Sequence, residues 1–134
     1  MDEVIFRGKT FKGKCLYGNL ICKKLQNEDF NKYYISSNKF FNFIKKKIDP
    51  NTIEQYIGIK DLHNIKIFEG DFIKFSYNTL DFNYIIGKVI WNDGGWALQV
   101  IEDPSLLYMS GYLISISDLY YVTGNKGFEI INYK

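Results

Sequence analysis

Residues 52–75 read TIEQYIGIKDLHNIKIFEGDFIKF. Apolar side chains at Ile53, Tyr56, Ile57 and Ile59 precede a polar turn from Asp61 to Asn64, and Ile65 to Phe68 supply a returning strand. Glu69-Gly70-Asp71 then redirects the chain into Phe72 to Phe75. Gly70 reaches left-handed backbone angles without a Cβ penalty, and Asp side chains bond nearby backbone N–H groups. Gly58, Asp61, Glu69, Gly70 and Asp71 therefore read as the structural residues of turns and corners. Short apolar runs divided by such punctuation predict a mainly β fold.

Toward the C-terminus, Ile85 to Trp91 and Trp96 to Ile101 flank Asn92-Asp93-Gly94-Gly95, the strongest hairpin signal in the chain. A turn of that length puts Trp91 opposite Trp96. Asp103-Pro104 reads as a corner, and Tyr108 to Ile116 is mixed, with Gly111 at a bend. Asp118 to Thr123 and Phe128 to Tyr133 read as closing strands around Gly124-Asn125-Lys126-Gly127. Toward the N-terminus, Val4 to Phe6, Cys15 to Tyr17 and Leu20 to Cys22 read as short strands. Gly18-Asn19 serves as a hairpin turn that would place Cys15 and Cys22 on facing strands. Lys23 to Asn31 reads as a loop and Tyr33 to Ile35 as a strand. Phe40, Phe41, Ile44 and Ile48 fit a helical stripe with Ser37 as N-cap, whereas Phe41, Phe43 and Lys45 fit a strand. Both readings of residues 37–48 stand, with Asp49-Pro50 ending either element. Six or more short strands at intervals of about 8–12 residues favour a single domain, a small SH3-like barrel or a β-sandwich built from hairpins.

Composition supports the same class. A chain of 134 residues, 46% apolar and 24% charged, has the length and balance of one globular domain. Aromatic residues make 18% of it, while Ala97 is the single alanine, so the sequence avoids the best helix former and favours side chains that suit a pleated surface. A net charge of +2 gives no strong electrostatic case for nucleic acid, which is not the favoured partner. The basic run Lys45-Lys46-Lys47 reads as a solvated face. No apolar run is long enough to span a bilayer and MDEVIFRGK lacks a signal-peptide pattern, so a cytoplasmic protein with reduced thiols and no membrane partner is expected.

The chemistry-bearing residues are sparse. Asp61, Glu69 and Asp71 admit an acid–base pair, a cation site or turn capping, and capping is the expected role. His63, the sole histidine, falls in the turn after Asp61. Two cysteines without CxxC spacing do not make a zinc site, and no phosphate-binding glycine loop is present, so neither metal nor cofactor is expected. Tyr56, Lys60, Trp91 and Trp96 are the candidate binding residues. With so many rings in a small domain, some remain exposed, and exposed aromatic surface marks interfaces, including homo-oligomer seams.

Gln55-Tyr56, Gly58, Lys60-Asp61, Ile67 and Glu69-Gly70-Asp71 together resemble the signature of the YopX-like family of small phage and prophage proteins. Leu16-Tyr17-Gly18 with Leu20-Ile21, Ile48-Asp49-Pro50-Asn51-Thr52 and Val122-Thr123-Gly124-Asn125 are similar to its other motifs. His63-Asn64-Ile65 departs from the family's Asn-Gly turn, and the tail after Asn125 departs from its usual ending. The resemblance implies a phage origin and a mainly β fold, and it carries over no catalytic residue. The expected function is that of a non-enzymatic accessory protein. It would bind a host or phage protein, or a small signalling nucleotide, to inhibit a defence component, and would form a homo-oligomer. A nucleic-acid-binding β-barrel is the alternative, and an enzyme using the acidic cluster the third.

Overall fold

A computed structural model describes residues 5–24, 26, 31–37, 45–77, 83–104 and 112–133. Contacts group the chain into two compact units, Met1–Tyr56 and Ile57–Lys134.

In the first unit, β1 (Phe6–Lys9), β2 (Cys15–Lys23), β3 (Lys32–Ser36) and β4 (Lys46–Lys47) pair in sequence, all antiparallel. A 3₁₀ turn at Pro50–Thr52 leads into β5 (Glu54–Lys60), whose first residues pair with β1. The turn forms where Asp49-Pro50 predicts an ending. The Asp49 carboxylate accepts from the Asn51 N–H at 3.0 Å. The Thr52 hydroxyl donates to the Asp49 carbonyl at 2.7 Å and accepts from the Lys9 N–H at 2.7 Å, tying the turn to β1. Ile35 and Ile48 are buried and close over Gly8, where a Cβ would lie 2.9 Å from Ile48 Cδ1.

Gly18-Asn19 does not turn the chain. The nine residues of β2 run through it, with Cys15 to Gly18 paired to β1 and Asn19 to Lys23 paired to β3. Gly18 has φ +154°, and a Cβ there would overlap the Ser36 carbonyl oxygen. The glycine is needed for close approach to β3 at the change of partner, a requirement that resembles a turn signal in sequence. Cys15 and Cys22 consequently lie on one strand instead of facing each other, seven residues apart, about 23 Å along an extended chain. A disulfide between them is out of reach.

In the second unit, the later residues of β5 neighbour β6 (Lys66–Phe68), so the first sheet has the hydrogen-bonded order β4-β3-β2-β1-β5-β6. β7 (Phe72–Ser76), β8 (Tyr84–Asn92), β9 (Gly95–Glu102), β10 (Leu113–Ser115) and β11 (Phe128–Ile131) form a second sheet, ordered β10-β9-β8-β7-β11. Its core gathers Ile67, Ile73, Phe75, Ile85, Val89, Leu98, Val100, Ile116, Leu119 and Phe128, with Ile57 and Ile59 of β5 packed against it. The rings of Phe75 and Phe128 meet edge to face, their centroids 5.1 Å apart.

The mainly β expectation holds. Among the described residues both sheets are open and antiparallel, and neither closes into a barrel. Residues 118–123, expected as a strand, belong instead to α1 (Ile116–Thr123), followed by a 3₁₀ turn at Gly124–Gly127. Ile116 and Leu119, three apart, bury one side of this short helix, and its position against the core overrides the strand preference of Tyr120, Tyr121 and Val122. Residues 46–47 are strand, while the helix-or-strand question at 38–44, the loop at 27–30 and the bend at Gly111 fall outside the described residues. No helix among the described residues is long and apolar enough to cross a membrane.

Gly18→Ala is expected to lower stability by about 1–3 kcal/mol, because it adds both an unfavourable φ and a backbone overlap. A urea-unfolding midpoint equal to wild type would refute the close-approach account of β2.

Candidate functional site

Asp61 and Asp71 of the 52–75 stretch are engaged in backbone geometry. Asp61 is 1% exposed, at the end of β5. Its Oδ1 accepts from the N–H groups of His63 at 2.9 Å and Ile65 at 3.0 Å, and its Oδ2 from that of Ile130 at 3.2 Å. Its carbonyl accepts from Asn64 N–H at 3.0 Å, and Asn64 takes φ 65°, the left-handed turn position. The adjacent Leu62 N–H donates to the Phe128 carbonyl at 2.8 Å, so the turn is joined to β11 from both sides. Asp71 works alike at the next corner. Its Oδ2 accepts from Phe68 N–H at 2.8 Å, and Gly70 N–H and the Asp71 carbonyl bond Val89 of β8, each at 2.9 Å. These bonds occupy oxygens that an acid–base role would need.

Other polar candidates are dispersed. His63 Nε2 lies 3.3 Å from Glu129 Oε2 in an exposed pair. Cys15 and Cys22 are both exposed. In the first unit, Arg7 Nε donates to Glu54 Oε1 at 2.8 Å beside a small cleft that Cys15 and Thr52 also line. Tyr112 donates to Asp103 at 2.7 Å, and the Tyr77 phenol is raised above its ordinary pKa by burial and then by the Asp103 charge. Among the described residues no group of three or more His, Cys, Asp or Glu is placed to hold a metal ion.

The best-formed surface feature lies at the tip of the β8–β9 hairpin. Asp93 and Gly94 both take positive φ, 53° and 86°, as a two-residue primed turn requires, and Trp91 pairs with Trp96 in register. The indoles meet edge to face, centroids 4.9 Å apart and planes at 76°. Trp91 is 55% exposed, and Trp96 is half-buried. An open cleft of ≈300 Å³ adjoins the tip, lined by residues 92–97 of the hairpin and by Leu113, Ile114 and Ser115 of β10.

Of the four candidate binding residues, the structure brings Trp91 and Trp96 together. Tyr56 is buried, and Lys60 is half-buried on β5; neither lines the cleft. Sequence reading missed Leu113, 43% exposed, and the outer side of α1, where Tyr121 is 92% exposed. The Ile116–Leu119 spacing was the available signal for that helix.

The features define a hairpin-built β protein with an exposed aromatic site at a hairpin tip, and with Asp61 and Asp71 spent on turns. The family model described as YopX protein matches residues 5–125, and the chain belongs to that family. No curated protein matches the chain. The match ends at Asn125, so β11, which receives the Asp61 and Leu62 bonds, lies beyond it.

Asp61→Ala is expected to cost at least ~3 kcal/mol, since three backbone donors lose their acceptor. Asp61→Asn should cost about 1–3 kcal/mol, because its NH₂ faces an N–H in either orientation. Denaturant midpoints check both. Native-state alkylation should modify both thiols without prior reduction.

Proposed function

We propose that the protein is a phage or prophage accessory factor that acts by binding, not catalysis, and inhibits a host defence component. One observation carries this reading: a half-exposed tryptophan, Trp91, set edge to face on Trp96, which lines an open cleft. A solvent-facing Trp packed against a second ring is the kind of side chain that dominates protein interfaces. The partner in this reading is a host protein. Membership of the YopX family supports the phage setting, and the turn role of Asp61 and Asp71 leaves the acidic cluster a weak basis for an enzyme.

The test is phage survival in a defence-positive host expressing the protein, together with capture of its partner. Trp91→Ala should abolish protection and partner recovery while lowering stability by only about 0.5–1.5 kcal/mol, the worth of the aromatic pair. Unchanged phage survival on expression of the wild type, with no partner recovered, would overturn the proposal. Native mass measurement adds a second criterion, because an oligomer that Trp91→Ala dissociates would assign the tip to self-association.

A further inference from the structure

Charge divides unevenly between the two units. Residues 1–56 carry eleven basic and six acidic side chains, and residues 57–134 six basic and nine acidic, so the net +2 separates into +5 and −3. In the first unit the described carboxylates are Asp49 and Glu54, and both have structural roles, on the 3₁₀ turn and on Arg7.

Lys23, Lys32, Lys46 and Lys47 stand on β2, β3 and β4, and Lys45 immediately precedes β4. Lys23 stands directly opposite Lys32. Tyr34 lies on the same face as Lys32, two residues along, and is opposite Lys47. Lys45 Nζ sits 5.4 Å from the centroid of the Tyr34 ring, and Lys47 Nζ 5.8 Å from that of Phe11, which is 67% exposed. The Lys45 ammonium is held below its ordinary pKa by packing and by the neighbouring Lys23. Repulsive charges gathered on one face, with an aromatic ring beside each of two ammoniums, fit a ligand that offers phosphate and base together at each repeat.

We propose that this face of the first unit, formed by Phe11, Lys23, Tyr34, Lys45 and Lys47, binds single-stranded nucleic acid. The ammoniums take the phosphates, and the exposed Phe11 ring, with the half-buried Tyr34 ring beside Lys45, stacks on unpaired bases. Lysines are point charges without the planar fork that reads guanine, so binding is independent of sequence. The surface belongs to the first unit and the Trp91 site to the second, and the proposal stands or falls independently of the Trp91 reading.

The test is fluorescence anisotropy of a labelled oligothymidylate of about fifteen nucleotides, long enough for one small β domain, with the full chain at stepped salt. Binding at low salt should fall with a log–log slope of about −2 for the three lysines, at ~0.7 per phosphate contact. Lys23→Gln/Lys45→Gln/Lys47→Gln should remove that slope without lowering the melting temperature. Phe11→Ala should weaken binding roughly tenfold with the slope kept, as expected for a lost stacking ring. Trp91→Ala should bind the oligonucleotide like wild type. Absence of binding at low salt would overturn the proposal. So would equal affinity for duplex DNA or inorganic polyphosphate with no effect of Phe11→Ala, which would show a general polyanion surface.

Discussion

The Asp61 carboxylate is the constraint around which the second unit is arranged. Burying an ionised carboxylate costs several kcal/mol unless its lone pairs are matched by donors. Here three N–H groups converge on it, two from its own turn and one from Ile130, sixty-nine residues further on. A single side chain thus sets the geometry between β5 and β6 and ties that turn to β11. β11 pairs with β7 and brings Phe128 against Phe75, so the bonds at Asp61 and the ring packing in the core support the same strand position. The Asp71 corner repeats the device between β6 and β8 with a carboxylate and two backbone bonds. Asp61 and Asp71, which resemble part of a catalytic cluster in sequence, are in this protein the pins of a sheet.

Local signals were legible where one short segment determines the outcome. Asn92-Asp93-Gly94-Gly95 contains everything its turn needs, and the Trp91–Trp96 pairing followed directly. The Asp61 and Asp71 turns were legible for the same reason. Gly18-Asn19 was misread because a glycine required by a neighbouring backbone has the same appearance as one required by a turn, and the neighbour, Ser36, lies eighteen residues away. The helix α1 was misread because it spans eight residues rich in strand-favouring side chains, and burial of Ile116 and Leu119 decides its form. Asp61 was placed in its turn, but its bond to Ile130 depends on a strand far along the chain and left no local trace.

The charge distribution was hidden by summation. A net +2 argues against a polyanion ligand only when charge is spread evenly, and the division at residue 56 is visible only once contacts define the units. The Lys23–Lys32 register is likewise a product of strand pairing, and the sequence shows only two lysines nine positions apart.

The two proposed surfaces differ in physical character, and this separates them experimentally. Apolar burial of an indole is strengthened or left unchanged by added salt, whereas phosphate contacts made by lysines weaken as counterions compete. A protein using both would lose one ligand and keep the other as ionic strength rises. Lys45 feels the like charge of Lys23, and a bound polyanion would relieve that repulsion. Nothing comparable burdens the Trp91 tip, where the edge-to-face contact with Trp96 holds the ring in place before any partner arrives.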